Sequence, residues 1–172
     1  ISPQFPSGIA NYRVTHRLGR GGMGDVYAGV DETLKRRVAL KAIRAEHRLN
    51  AQSKARFLRE AQILSQLDHP HICRVYNYVE AADSDWLVLE LIEGRTLHDA
   101  IRRGVGAADR MAIAQQIAEV LVVTHAAGVV HRDLKPGNVM LAGAAGVKVL
   151  DFGLARALPA DGDGERGSTA AA

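Results

Sequence analysis

Apolar positions change their period along this chain, and the changes mark out its elements. After a leader rich in Pro, Ser and Gly over residues 1–11, Tyr12-Arg13-Val14 leads to Leu18, a glycine cluster and Val26-Tyr27-Ala28-Gly29-Val30. A turn at Asp31-Glu32 precedes Arg37-Val38-Ala39-Leu40-Lys41-Ala42-Ile43, so residues 12–43 predict strands joined by turns. Over residues 54–67 the spacing becomes helical, with Phe57, Ala61, Leu64 and Leu67 separated by Arg56, Arg59, Glu60 and Gln62. Asp68-His69-Pro70 ends that helix, because a proline drives the residue before it out of the helical region. Two further strands are expected at 73–79 and 86–91. From Thr96 the pattern is helical again. Asp109 is the expected N-cap of a long Ala-rich helix that sets Ile113, Ile117 and Leu121 on one face. His125 is expected in the core or at its boundary, and Gly128 closes the helix. Val129-Val130, Val139-Met140-Leu141 and Val147-Lys148-Val149-Leu150 predict small strands. Residues 157–172 have no periodicity and predict a mobile end. There is no internal repeat.

Composition narrows the class. The chain has 172 residues, 47% hydrophobic and 24% charged, the balance of one soluble globular domain with a sizeable core. No apolar run approaches the ~20 residues of a membrane helix, so no membrane contact is expected. The start, Ile1-Ser2-Pro3-Gln4-Phe5-Pro6, lacks the basic and apolar stretches of a secretory signal. The single cysteine, Cys73, excludes an internal disulfide and a multi-cysteine zinc site and suits a reducing, cytoplasmic compartment. It reads as a buried apolar filler. Residues 1–80 carry 13 Lys/Arg against 7 Asp/Glu, whereas residues 81–172 carry 9 against 12. Nucleic acid would explain a basic first half, but only 5% of residues are aromatic, so no stacking row accompanies it. A solvated basic face or a phosphate ligand accounts for the charge better, and nucleic acid is not the expected partner. His69 and His71 read as turn residues, and no transition-metal site is expected.

The candidate chemistry starts at Gly19-Arg20-Gly21-Gly22-Met23-Gly24-Asp25-Val26. A dinucleotide fold would want these glycines to open a helix; here Val26-Tyr27-Ala28 continues as strand. Glycines between two antiparallel strands form a flap whose N–H groups can lie close over phosphates. Lys41 follows seventeen residues after Gly24 as a candidate for neutralising phosphate oxygens, and Glu60 on the following helix can hold it. The strongest signal is His131-Arg132-Asp133-Leu134-Lys135-Pro136-Gly137-Asn138, with Asp151-Phe152-Gly153 starting thirteen residues after Asn138. Phosphoryl transfer needs this set: a group to orient a hydroxyl, a cation for the moving phosphate, and oxygen ligands for Mg²⁺.

Residues 12–156 resemble the protein-kinase catalytic domain, in particular the bacterial kind similar to eukaryotic Ser/Thr kinases, with every motif in order. The resemblance implies an α+β, two-lobed fold: a leader at 1–11, a β-rich N-lobe with one long helix and the hinge at 12–92, and a partial, mainly helical C-lobe at 93–156. It implies an ATP-dependent transferase acting on Ser/Thr hydroxyls of a protein substrate. Gly19, Gly21 and Gly24 would form the glycine-rich loop, and Lys41, paired with Glu60, would hold the α- and β-phosphates. Asp133 would accept or orient the hydroxyl proton, Lys135 would stabilise the transferring group, and Asn138 and Asp151 would bind Mg²⁺. Leu18, Val26, Ala39 and Met140 would sandwich adenine, Leu89 would be the gatekeeper, and the backbone of Glu90 and Ile92 would meet the adenine edge. His131 would be structural and pack near Phe152. Arg132 would meet a phosphorylated loop, for which Ser168 and Thr169 are the available hydroxyls. Related bacterial kinases dimerise through the first lobe, so a homodimer is a candidate assembly.

Beyond Asp151-Phe152-Gly153 the family continues through an Ala-Pro-Glu motif and several helices that this sequence lacks. The chain is therefore expected to stop within the activation loop and to leave apolar faces around residues 129–150 uncovered. Several hundred Å² left wet forfeits on the order of 10 kcal/mol, comparable with a domain's net stability, which predicts a marginal or partner-dependent chain. A nucleotide-binding but inactive module is the alternative. A small-molecule kinase similar to aminoglycoside phosphotransferases fits Arg132 and Leu134-Lys135-Pro136 less well.

Overall fold

The computed structural model describes residues 8–21, 24–43, 50–81 and 84–152. Strands β1 (Gly8–Ile9), β2 (Tyr12–Gly21), β3 (Gly24–Asp31) and β4 (Arg36–Ile43) precede helix α1 (Ala51–Gln66), and β5 (Val75–Glu80) and β6 (Asp85–Glu90) follow it. They make one antiparallel sheet in the order β1-β2-β3-β4-β6-β5. Side chains alternate along a strand, and β4 uses both faces. Val38 and Leu40 enter a core with Ile9, Tyr12, Tyr27, Trp86 and Val88, while Ala39 and Lys41 line a cavity on the other face. On α1, Phe57 packs with Leu87, and its ring lies 5.9 Å from that of Tyr78.

The rest of the described chain forms β7 (Arg95–Thr96), α2 (Leu97–Arg103), α3 (Ala107–Ala126), β8 (Val139–Leu141) and β9 (Val147–Val149). Thr96 caps α2, its hydroxyl oxygen accepting from the Asp99 N–H at 3.1 Å. β7, β8 and β9 form a small sheet. Its far edge is closed by the segment after α1: Ile72 bridges Val149 in parallel, the Val149 N–H donates to the His71 carbonyl (2.8 Å), and the Cys73 N–H donates to the Val149 carbonyl (3.0 Å). The two halves thus share one core, in which Leu64 and Ile72 pack with Val120, Val129, Val139, Val147, Val149 and Phe152.

Several expectations are corrected. Gly8–Ile9, within the expected leader, pairs with β2, and Ile9 is buried in the sheet core. The cap of α3 is Gly106, not Asp109. Asp109 lies in the first turn, where its charge still complements the exposed N–H groups. Thr124 is buried and His125 is exposed; the Thr124 hydroxyl donates to the Val120 carbonyl (2.9 Å), so its burial leaves that hydroxyl paired. Val129-Val130 forms no strand. The apolar faces around 129–150 are only partly laid bare: Val129, Val139, Val147 and Val149 are buried in the shared core, whereas Val130 and Leu134 are exposed. The most exposed apolar side chains of this half lie on α3, with Met111 at 73% and Val122 at 69%. The expected mobile end at 157–172, with Ser168 and Thr169, and the Gly22-Met23 pair and Gly153 fall outside the described residues.

Candidate active site

Between the sheet and β8 lies a cavity of about 450 Å³. Leu18 and Val26 come from β2 and β3, Ala39 from β4, Leu89 and Glu90 from β6, Ile92 from the segment beyond it, and Met140 from β8. These apolar side chains suit a flat, uncharged ring, and Glu90 at the strand end lies on the same wall. Gly19, Lys41 and Asp151 line the same cavity. Two larger cavities, about 640 Å³ near Tyr27 and Trp86 and about 520 Å³ beside α3, are lined by no residue of the polar motifs. Chemistry, not size, selects the smaller one.

The expected glycines differ in what holds them. A Cβ on Gly24 would lie 1.9 Å from the Ala42 carbonyl oxygen, at a φ of +153°, so the packing of β3 on β4 demands glycine there. A Cβ on Gly19 would meet nothing within 4 Å. That space is open on the cavity side and is free for a ligand's approach. Gly21 pairs with Gly24 at the end of the hairpin.

Lys41 is 7% exposed, and its Nζ donates to Asp151 Oδ2 at 2.7 Å, across 110 residues of sequence. This departs from the expected pairing with Glu60. Glu60 instead accepts two hydrogen bonds from Arg132 Nη1, at 2.8 and 3.2 Å. The exchange has a local cause. Arg132 adopts a φ of +67° and reaches α1, while Asp151, at a φ of +59°, presents its carboxylate to Lys41. Each cation is therefore already neutralised by a different carboxylate.

The loop from His131 to Asn138 is built around Asp133. Lys135 Nζ lies 2.8 Å from Asp133 Oδ2, and Asn138 Nδ2 donates both to that oxygen (3.0 Å) and to the Asp133 carbonyl (2.8 Å). The Lys135 hydrogen bond, then its charge and the Asn138 amide, hold the Asp133 carboxyl below the usual carboxylate range against the opposing effect of desolvation. Asp133 is thus an anion at neutral pH, able to accept a hydrogen bond from a hydroxyl. Behind it, His131 is buried, donates from Nε2 to the Leu150 carbonyl (2.7 Å) and accepts the Asp133 N–H on Nδ1 (3.3 Å). These two bonds assign the neutral tautomer with its proton on Nε2. Burial holds the imidazole's pKa below its usual value, and its ring stacks at a tilt on Phe152, centroids 4.6 Å apart. Cys73 also lines the cavity, but burial pushes its thiol up to about 12, so it is not a nucleophile at neutral pH.

A divalent cation with phosphate oxygens fits the donor set. Asn138 spends its amide nitrogen on Asp133 and so keeps Oδ1 as an acceptor, and Asp151 engages Lys41 through Oδ2 alone. Mg²⁺ is commonly held by one or two such protein oxygens, with phosphates and water completing its octahedron. Sequence reasoning missed Thr96 and Asp99 on the cavity wall. The Thr-x-x-Asp capping signature of α2 was the signal available for them.

A family model of the protein kinase domain matches residues 12–170. The chain is 40% identical over 154 residues to the serine/threonine-protein kinase pkn2 of Myxococcus xanthus, covering 87% of this chain and 19% of that protein. It is 40% identical over 153 residues to a probable serine/threonine-protein kinase of Streptomyces coelicolor, covering 86% and 23%. It is 37% identical over 156 residues to the serine/threonine-protein kinase PknA of Mycobacterium tuberculosis, covering 87% and 36%. The chain therefore spans between about a fifth and just over a third of the length of these relatives.

Proposed function

We propose that this chain, which belongs to the protein kinase domain family, binds ATP with Mg²⁺ and transfers the γ-phosphate to Ser or Thr hydroxyls of a protein substrate. The observation that carries the reading is the Lys41–Asp151 ion pair on the wall of an apolar cavity. A cation for phosphate and an anion for metal converge there from opposite halves of the chain. Leu18, Val26, Ala39 and Met140 would enclose adenine, with Leu89 beside it and the backbone of Glu90 and Ile92 along its polar edge. Gly19, Gly21 and Gly24 would cover the phosphates. Mg²⁺ held by Asn138 and Asp151 would neutralise charge developing on the phosphate oxygens. Asp133 would orient the substrate hydroxyl and accept its proton, and Lys135, already beside Asp133, would face the transferring group.

Binding of nucleotide without transfer is the second reading. The pairing of Glu60 with Arg132 supports it, because Lys41 then lacks the α1 carboxylate expected to orient it. A thermal melt separates binding from its absence: at 100 times the dissociation constant, Mg·ATP should stabilise the wild type by about 2.7 kcal/mol and leave Lys41→Ala unshifted. Phosphate incorporation into Ser/Thr peptides then separates the two readings. Asp133→Asn should lower a true transfer rate about 10²–10⁴-fold. Equal incorporation by wild type and Asp133→Asn would overturn the transferase reading and leave nucleotide binding standing.

A further inference from the structure

One ion pair outside the proposed chemistry joins the two ends of the cavity. Glu90 stands at the end of β6 on the cavity wall, and Lys148 is the middle residue of β9, three before Asp151. Lys148 Nζ reaches both Glu90 carboxylate oxygens, at 2.8 and 2.9 Å. The Arg74 N–H donates to the same carboxylate (3.2 Å), and the Glu90 N–H donates to the Arg74 carbonyl (2.9 Å). The side chains are 12% and 25% exposed, so the pair is shielded from water far more than a surface bridge.

The strand carrying Lys148 is pinned on every side. The Val147 N–H donates to Gln116 Oε1 and its carbonyl accepts from His71 Nδ1, both at 2.8 Å. Val149 is bonded to His71 and Cys73, and Leu150 to Asn138 and His131. A strand held this firmly transmits a displacement at Lys148 to Asp151.

We propose that Glu90 and Lys148 are positioning residues that fix the distance between the base-binding strand end and the cation-binding Asp151. The two side chains act on how well one ligand engages both ends at once, and their charged groups are spent on each other rather than on base or phosphate. The inference rests on the nucleotide reading given above.

The test compares adenosine, which needs only the base end, with Mg·ATP, which needs both, in titrations of the 172-residue chain. In the wild type Mg·ATP should bind more tightly than adenosine. In Lys148→Met that advantage should fall about tenfold while adenosine affinity stays within about twofold. Lys148→Met combined with Glu90→Gln should lose no more than Lys148→Met alone, the non-additivity expected of residues acting as one unit. Lys148→Arg, and the reversed pair Lys148→Glu with Glu90→Lys, should recover most of the advantage. A melt of each variant confirms folding, and the reversed pair decides the matter if Lys148→Met does not fold. Equal loss of both ligands, no loss of either, or no recovery in the reversed pair would overturn the positioning role with nucleotide binding intact. A wild type that binds neither ligand would overturn the nucleotide reading and the inference together.

Discussion

The sheet half and the α3 half of this molecule stabilise themselves differently. In the sheet, Val38, Leu40 and Val88 are inaccessible to solvent and are packed by residues of the same sheet. In α3 only Val120 and Thr124 of 20 residues are buried. The buried side chains of its half are completed by Leu64 and Ile72, which come from the sheet half. The half that would enclose the base thus carries a private core, whereas the half that would carry out transfer depends on a shared one. The residues proposed for catalysis sit on a surface whose order is supplied by its neighbour.

The contrast can be broken most severely at its two cores. Leu40→Ala and Leu64→Ala should each cost about 2–5 kcal/mol in urea unfolding, the range for emptying a well-packed site. They should differ in kind, however. Loss at Leu64 should reduce Mg·ATP affinity in the molecules that remain folded, because it loosens the strand leading to Asp151. An equal effect of both variants on affinity would dissolve the distinction.

Next in size is the glycine pair. Gly24→Ala should destabilise the sheet by more than about 1 kcal/mol, since its new methyl group meets a carbonyl and a positive φ. Gly19→Ala should leave the melt within about 0.5 kcal/mol and weaken Mg·ATP binding. Titration of both variants beside their melts distinguishes a packing glycine from a ligand glycine.

A smaller effect follows from pH. His131 has a folded pKa below its unfolded value, so the unfolded chain binds more protons and stability rises with pH. The contribution is complete above the unfolded value of about 6.5 and is lost as pH falls towards the lower folded value. His69, also lowered by burial, acts with the same sign. Urea midpoints between pH 7.5 and 5 should therefore fall, and fall less in His131→Gln, whose own stability is lower throughout. The smallest effect is at the open face of α3. Met111→Gln and Val122→Gln should change unfolding free energy by less than about 0.5 kcal/mol while lowering light scattering at high concentration. A large loss would mean that this face is packed in solution.

Much of this architecture is written in short-range pattern. Alternation in β4 and the period of α1 are set by neighbours a few residues apart, so residues 37–43 and 54–67 are readable without a partner in view. The same is true of Asp133, Lys135 and Asn138, which lie within one loop and bond to each other. What the pattern misses depends on distant groups. The partner of Lys41 is decided by which carboxylate α1 and the Asp151 turn deliver, and Arg132 takes Glu60 first. The start of α3 is not fixed by local pattern, because Asp109 and Gly106 are both acceptable cap residues, and the choice between them lies in where the preceding turn leaves the chain. Burial falls on Thr124 rather than on its neighbour His125, a difference of one residue and thus a 100° rotation on a helix. Apolar residues on nearly every face of α3 make such a rotation hard to fix from sequence.

The parallel bridge between Ile72 and Val149 has a consequence for how the chain is made. The first sheet lacks nothing once Glu90 has been synthesised, because β6 is its last strand in sequence. Residues 71–73, however, must wait for β9, which emerges several seconds later at a ribosomal pace of ~5–20 residues per second. Through that interval a finished sheet stands beside an unpaired strand edge, the kind of surface that recruits foreign strands. The nascent chain is most exposed to misassembly after its first half is already folded, and a chaperone that shields residues 71–73 would act in that window.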